Sequence, residues 1–252
     1  MAKNKKWILA AVAVLAVVLC CWAAWSKWAS TTRIGLVNFQ NYQTASLVKS
    51  NEDNFIEYEE IPLDRLDRLG RYDLVLGFGM GLKITEEQRA QILAAADEGT
   101  PIYIYAATNP ENDICSLDSL TKAGISAYIG NGNKRNYRNM ARYVRQHIDA
   151  KRLFVTPAEE AVESASDVLY HLDEDLSFKT VADYEKYLRE QGIYREKAPK
   201  IAIVGGLNDP FSGNRANIDS LIVSLQNAGM NVYPVSSYRQ RLAFLREIGP
   251  DA

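Results

Sequence analysis

The sequence predicts an α/β protein in which a doubly wound, mostly parallel sheet is covered by helices on both faces. Two observations lead to this fold class. From residue 33 onward, short apolar runs typical of strands alternate with amphipathic stretches of helical period. Before them, residues 7–25 contain no charged side chain, which predicts a hydrophobic helix of its own. The chain therefore divides into an N-terminal helix and an α/β region.

The N-terminal helix is predicted to be a transmembrane anchor. Residues 7–25 would extend roughly 28 Å as a helix, about the thickness of one hydrocarbon core. Three lysines precede this segment and Lys27 follows it. The positive-inside bias then favours a single pass through the inner (cytoplasmic) membrane, with residues 1–30 as cytoplasmic N-terminus and anchor and the soluble part in the periplasm.

Two other interpretations of this segment stay open. A cleaved signal peptide is the main competitor, although Cys21-Trp22-Ala23 is a poor cleavage site and the apolar run is long. A lipoprotein signal ending at Cys20 is the other, with Leu19 where a small residue is expected.

Charge and cysteine content exclude several classes of function. Residues 1–33 hold five basic and no acidic residues while the whole chain carries −2, so the remainder carries −7. An acidic soluble part argues against nucleic acid as a partner. Cys115 is the one cysteine beyond the N-terminal segment, which excludes a disulfide framework there and argues against structural zinc.

Residues 31–150 are predicted to form one flavodoxin-like domain. The third of its helices is delimited most clearly, because Thr85 and Gln88 fit a capping box and Gly99 follows the last turn. A closing helix is predicted at 137–148. The strands are predicted at 33–38, 55–60, 72–76, 101–105 and 125–129, and the helices between them at 42–49, 63–69, 85–98 and 116–123.

Residues 151–198 are predicted to be a helical connector, because residues 157–198 lack strand-like runs. Pro157 opens one predicted helix of this connector, and residues 181–191 form another. Residues 199–252 then begin a second α/β domain, as a strand at 200–204, a helix at 216–228 and a strand at 231–235. One β-α-β unit cannot cover its own apolar faces. We therefore expect the chain to be the N-terminal piece of a longer protein.

Two glycine-bearing loops are candidate sites. Residues 77–81 alternate glycine with Phe78 and Met80 after a strand, yet the pattern is not the dinucleotide fingerprint, and a tight turn explains it better. The loop at 205–215 is the stronger candidate because open α/β sheets bind ligands at the carboxyl ends of their strands. Its predicted ligand-binding residues are Asn208, Ser212, Asn214 and Arg215. The first three offer neutral hydrogen-bonding groups, and the guanidinium of Arg215 suits a ligand carboxylate. A loop that only satisfies turn geometry and caps the next helix is the alternative.

The two histidines are predicted to have structural settings. His147 fits a solvated helix face, and His171, which precedes three acidic residues, fits an exposed acidic turn better than a metal or haem ligand. Neither histidine belongs to a catalytic triad pattern, and no metal site or nucleotide-binding motif is recognised.

Several motifs near the C-terminus occur together in one known family. They are Lys200-Ile-Ala-Ile-Val204, Ser212-Gly-Asn-Arg215, Ile218-Asp-Ser-Leu-Ile222 and Ala228-Gly-Met-Asn-Val-Tyr-Pro-Val235. In this order they resemble the N-terminal region of the CobN/magnesium-chelatase H-subunit family. The asparagine-rich residues 130–143 and the turn at 72–81 are similar to that family as well. With the predicted anchor, the chain most resembles the family's membrane-anchored CobN-like haem-uptake members.

The resemblance implies a tetrapyrrole metal chelatase or dechelatase. Its substrates would be a haem, porphyrin or corrin and a divalent Fe, Co or Mg ion, and its partners ATPase subunits or haem-uptake components. Metal exchange needs acid–base groups near the ring and ligands that pass the metal on. Catalytic residues are expected beyond residue 252, so the chain alone leaves open whether it belongs to an enzyme. Other open alternatives are a membrane-tethered periplasmic ligand-binding or sensor domain without catalysis, and a structural scaffold.

Overall fold

The computed structural model describes residues 2–163, 166–172, 176–204 and 215–252, with the backbone alone for residues 2–11. The chain folds as two compact units. Unit 1 consists of residues 1–39, 52–126 and 139–159, and unit 2 of residues 40–51, 127–138 and 160–252. The predicted domain limits stay predictions.

Helix α1 spans Ala2–Trp28. Its apolar side chains are exposed along the part described in full, from Val12 at 58% to Trp25 at 52%. Counting only residues that the structure describes, no helix is both long and apolar enough to cross a bilayer. The predicted transmembrane segment is therefore not confirmed.

Unit 1 contains a four-stranded parallel sheet, which confirms the α/β class and four of the five predicted strands. Its strands are β1 (Thr32–Val37), β2 (Ile56–Glu60), β3 (Leu74–Phe78) and β4 (Ile102–Tyr105), in the spatial order β2-β1-β3-β4. Helix α2 (Asn41–Ser50) follows β1 in the chain, and α3 (Glu86–Asp97) follows β3.

One face of this sheet packs against α3 and the 3-10 helix Leu63–Arg71. Apolar side chains from both helices, including Leu66, Leu69 and Ile92, meet Val75, Ile102 and other strand residues in one buried cluster. Helix α3 begins where the sequence predicts, because Thr85 Oγ1 accepts the Gln88 amide and the Gln88 side chain accepts the Thr85 amide.

The fifth predicted strand, at residues 125–129, is wrong. These residues lie in helix α4 (Ser119–Gly130). Asp118 starts the helix, since its side chain accepts the amides of Leu120 and Thr121. Ile125 is then buried one turn before the buried Tyr128, so the short apolar run follows a helical period. Helix α5 (Lys134–Tyr143) and a π-helical turn, Val144–Ile148, match the predicted closing helix.

Unit 2 contains a mixed sheet that the sequence predicted only in part. Strands β7 (Lys200–Val204) and β8 (Asn231–Ser236) are parallel, as predicted. The stretch predicted as a helical connector also supplies β5 (Val168–Tyr170) and β6 (Ser177–Phe178), both antiparallel additions, so the order is β6-β5-β8-β7. No helix begins at Pro157.

Three helices cover the second sheet, and they supply the partners that the predicted β-α-β unit lacked. Helices α6 (Val181–Glu190) and α8 (Arg241–Ile248) pack on the face that carries Tyr233 and Val235. Helix α7 (Ala216–Asn227) packs on the opposite face against Val232. The last residues pair with β7, where the Ala202 amide donates to Ala252 oxygen at 2.9 Å.

Candidate functional site

The predicted ligand-binding loop follows β7 and leads into α7. Of its four predicted residues, Asn208, Ser212 and Asn214 lie outside the described residues and Arg215 lies within them. Because ligands of open α/β sheets bind beyond the carboxyl ends of strands, the surroundings of Arg215 define the candidate site.

The Arg215 guanidinium is buried, with a relative exposure of 1%. Its Nε donates to Asp219 Oδ1 at 2.7 Å, one turn further along α7. Nη2 donates to the main-chain oxygen of His171, and Cζ lies 5.0 Å from the centre of the Tyr170 ring. Arg215 thus joins the end of β5 to the start of α7, and direct contact with a ligand carboxylate stays a prediction.

His171 is buried at 3% exposure, so its predicted place in an exposed turn is wrong. The residue follows β5 directly, and β5 is an inner strand of the sheet. Its Nε2 lies 2.8 Å from Gln226 Nε2 on α7, and its Nδ1 lies 3.5 Å from the Tyr187 hydroxyl on α6. An amide nitrogen only donates, so Nε2 accepts and Nδ1 carries the ring proton.

Burial controls the electrostatics of this cluster. It lowers the pKa of His171, and the positive charge of Arg215 lowers that pKa further. Burial also raises the pKa of Tyr170. At neutral pH the cluster therefore holds a neutral imidazole, a neutral phenol and an arginine–aspartate ion pair. His147 is exposed beside the Tyr143 ring, in agreement with its predicted solvated position.

The arrangement can position main-chain atoms but presents no exposed nucleophile or acid–base pair. Both ring nitrogens of His171 are engaged, and Arg215 is paired inside the unit. Within the described ranges, no three His, Cys, Asp or Glu side chains come together as a metal site.

The carboxyl edge of the parallel sheet in unit 1 is a second possible site. The glycine-bearing turn after β3 is closely packed, since a Cβ on Gly79 would lie 2.5 Å from Ala107 Cα, which supports the interpretation as a tight turn. The rings of Phe39, Phe78 and Tyr105 meet here, with centroid separations of 5.5 to 6.3 Å. This cluster could not be predicted from the sequence, because its members lie at the ends of three separate strands.

Comparison with known proteins connects the site to a family. The sequence model of CobN/magnesium chelatase matches residues 126–248, which include β5, α6, α7 and Arg215. Over these residues the chain is similar to the CobN/magnesium chelatase family. This confirms the resemblance seen in the sequence, while the specific likeness to the haem-uptake members stays a prediction.

The fold agrees with this assignment. The chain resembles a solved structure described as the catalytic subunit of cobaltochelatase from Mycobacterium tuberculosis, with a TM-score of 0.58 and 16% sequence identity. The similarity covers 87% of this chain and 17% of that one, so the chain spans less than a fifth of its relative. A comparison with curated proteins found no match.

The asparagine-rich segment belongs to the part that matches the CobN/magnesium chelatase family, and its side chains serve as structural connectors. Asn136 is fully buried, and its Nδ2 donates to the main-chain oxygens of Asn131 and Val162 at 2.6 and 2.7 Å. Its Oδ1 accepts the Val162 amide at 3.0 Å. Asn136 therefore fixes an extended segment that has no regular secondary structure of its own.

A second buried arginine, Arg145 in unit 1, also lies within the CobN/magnesium chelatase match, and sequence analysis missed it. Its guanidinium donates to the main-chain oxygens of Ser30, Phe55 and Phe154 at 2.9 to 3.1 Å. The available signal was its position directly after Val144 on the predicted apolar face of a helix.

Proposed function

We propose that the chain is the N-terminal part of a CobN-like tetrapyrrole metal chelatase or dechelatase. The family match over residues 126–248 is the observation that carries this proposal. The reaction exchanges a divalent metal ion, which is a substrate, for two protons on the pyrrole nitrogens of a porphyrin or corrin. The groups that move those protons are expected outside this chain.

Within the proposed function, the Arg215 cluster serves as a positioning device. Arg215 directly follows Ser212 and Asn214, the neutral hydrogen-bonding residues predicted to contact the ligand. Its bonds to Asp219 and to the His171 oxygen fix the point at which the predicted loop ends and α7 begins. Loss of that fixed point is expected to weaken tetrapyrrole binding.

A spectral titration tests the proposal. The full-length protein is titrated with haem, protoporphyrin and a corrin, and the absorbance of each ligand reports its binding. Arg215→Ala is expected to lower the affinity several-fold, whereas Arg246→Ala, an exposed arginine of the same unit, leaves it unchanged. Equal affinities for both variants would contradict the role of Arg215, and the absence of binding to any tetrapyrrole would contradict the proposed function.

Catalysis is tested separately from binding. Incubation of haem with the full-length protein should generate the fluorescence of metal-free porphyrin if the reaction removes iron. If the reaction inserts metal, incubation of porphyrin with Co²⁺ should quench this fluorescence, and incubation with Mg²⁺ should shift its emission bands. A requirement for ATP in either direction would indicate ATPase partner subunits. Binding without any metal exchange would instead favour a ligand-binding or sensor domain.

We also propose that α1 anchors the protein in the inner membrane with the α/β units in the periplasm. The uncharged run at residues 7–25 and the exposed apolar side chains from Val12 to Leu19 support this placement. In carbonate extraction the full chain is expected in the membrane fraction. An alkaline phosphatase reporter fused after residue 30 is expected to be active, whereas activity only of a cytoplasmic reporter would contradict the orientation.

A further inference from the structure

The base of α1 carries an exposed apolar patch that two distant parts of the chain build together. Trp25 and Trp28 come from the last turns of α1, and Leu153 and Phe154 from a loop after α5. These four residues are named the aromatic collar. Trp25, Leu153 and Phe154 are 52%, 49% and 54% exposed, which is unusual for large apolar side chains held at fixed positions.

Hydrogen bonds from main-chain amides and from Arg145 hold residues 152–154 against α1. The amides of Arg152 and Leu153 donate to Trp28 oxygen at 3.1 and 2.9 Å, which satisfies a carbonyl group at the end of the helix. Arg145 donates from Nη2 to Leu153 oxygen and from Nε to Phe154 oxygen, at 3.0 and 2.9 Å. A fully buried guanidinium thus binds the carbonyl groups of the two residues whose apolar side chains face solvent.

The same contacts fix the direction of the rings. Phe154 has a φ of 54°, a left-handed conformation that a bulky residue rarely adopts without support. Its ring stacks on Phe55 with a centroid separation of 4.5 Å and contacts Trp25 at 6.1 Å. The Arg145 guanidinium carbon lies over the Phe55 ring, 5.3 Å from its centre. The exposed rings therefore rest on a rigid base.

The chemistry around the collar fits a lipid surface. The collar continues the exposed apolar face of α1, and the exposed cations Lys27 and Arg152 lie beside it in the sequence. The exposed aromatic side chains and the two cations alternate next to the apolar face of α1, Lys27 between Trp25 and Trp28 and Arg152 before Leu153 and Phe154. Tryptophan at the interface and basic side chains near anionic headgroups are typical of a segment at a membrane surface.

We propose that the aromatic collar seats in the interfacial layer of a bilayer that contains anionic lipid. The proposal rests on the membrane placement of α1 and adds a second contact, from residues 152–154. Because Thr32 and Phe55 lie at the amino ends of β1 and β2, the collar turns that edge of the parallel sheet toward the membrane. The carboxyl ends of the strands, with Phe39 and Phe78, then face away from it.

A fluorophore at the collar tests this contact. Phe154→Cys is introduced in the full chain with Cys20, Cys21 and Cys115 replaced by serine, and labelled with an environment-sensitive dye. On reconstitution into vesicles of phosphatidylcholine and phosphatidylglycerol, the emission is expected to shift to the blue and quenching by aqueous iodide to fall several-fold. The same dye on Leu242→Cys, an exposed leucine of unit 2, is expected to show neither change.

The possible outcomes test the membrane contact of the aromatic collar and the anchoring of α1 independently. Flotation with the vesicles and an unchanged spectrum at position 154 would overturn the collar contact and leave the anchor intact. Failure to float would overturn both. A blue shift at position 154 in the absence of vesicles that depends on protein concentration would indicate a second copy of the chain on this surface and would also overturn the proposal.

Discussion

Each unit is organised around a buried arginine, and the two arginines are stabilised in different ways. Arg215 in unit 2 is paired with a carboxylate, Asp219, four residues along the same helix. Arg145 in unit 1 is surrounded mainly by main-chain oxygens, with the hydroxyl of Thr32 at 2.9 Å as a side-chain acceptor. The nearby carboxylates of Asp53 and Asp149 act on it through their charge.

Arg215 is stabilised by a partner close in the sequence, whereas Arg145 is stabilised mostly by distant segments of the chain. The Arg215–Asp219 pair lies within one helical turn, so much of it can form as soon as α7 forms. Arg145 binds carbonyl groups about 90 to 116 residues away in the chain, such as those of Phe55 and Ala29. It also requires the planar fork of arginine, because one guanidinium reaches segments on several sides. Unit 1 should therefore be the more sensitive of the two to loss of its arginine.

The largest effect is expected for Arg145→Ala. Several buried carbonyl groups would lose their donor, and removing a buried, hydrogen-bonded charge costs about 4 kcal/mol. Arg145→Lys should recover little, because an ammonium group cannot reach all of these acceptors. Denaturant unfolding measures the free energy, and hydrogen exchange at the β1 amides locates the loss. Arg65→Ala, an exposed arginine of the same unit, should be nearly neutral; an equal cost for both would contradict the comparison.

A smaller effect is expected for Arg215→Met. The methionine fills the space but leaves Asp219 without its partner, and because Asp219 is partly exposed we expect a cost of about 2 kcal/mol. Adding Asp219→Leu should restore part of this stability, since an apolar pair needs no neutralisation. Denaturant-dependent hydrogen exchange at the β7 and β8 amides measures the stability of unit 2 in both variants. A double variant less stable than Arg215→Met would show that the carboxylate has a second role.

The sequence predicts the parallel sheet of unit 1 better than the mixed sheet of unit 2. The four confirmed strands are apolar runs or, in β2, apolar residues alternating with glutamate, and they are four to six residues long. Strands β5 and β6 are three and two residues long, too short to show a period. Antiparallel pairing of β5 with β8 joins segments more than sixty residues apart, which a local pattern does not reveal.

The sequence predicts a candidate loop, and the geometry around its last residue, Arg215, is known only from the structure. Arg215 was identified from its position after a strand, and the i,i+4 spacing to Asp219 was available as a sign that the two pair. Burial of His171 was not predictable, because it depends on covering helices that come later in the chain. The role of Arg145 was not predicted for a different reason: its partners are backbone oxygens of distant segments, and its position after Val144 on a predicted helix was the one local sign.

Acidification should lower the stability of unit 2 through His171 and raise that of unit 1 through Asp73. The pKa of His171 in the folded protein lies below its unfolded value of about 6.5, so acidification favours the unfolded state, which binds the proton more readily. Stability contributed by neutral His171 is complete above that value and lost as the pH falls below it. In His171→Gln, the free energy of unfolding lost between pH 7.5 and 5.5 should be smaller by about 1 kcal/mol. An unchanged slope in urea unfolding would exclude His171 as its source.

The smallest expected effect has the opposite sign and lies in unit 1. Burial raises the pKa of Asp73, and the neighbouring Asp149 carboxylate raises it further, while the Arg33 amide and Lys151 counteract both. Raising the pH above about 4, the pKa of Asp73 in the unfolded chain, therefore removes stability, because the folded state holds the proton of Asp73 more tightly.

The variant Asp73→Asn tests this effect. In the folded protein the Arg33 amide donates to Asp73 Oδ2 at 2.8 Å, and asparagine keeps an oxygen that can accept it. The variant should raise the stability of unit 1 at pH 7 by less than about 1 kcal/mol and have no effect near pH 3. Hydrogen exchange at the β1 and β3 amides measures this difference. Destabilisation at pH 7 would show that the Asp73 charge is compensated by Lys151 and that acid weakens both units alike.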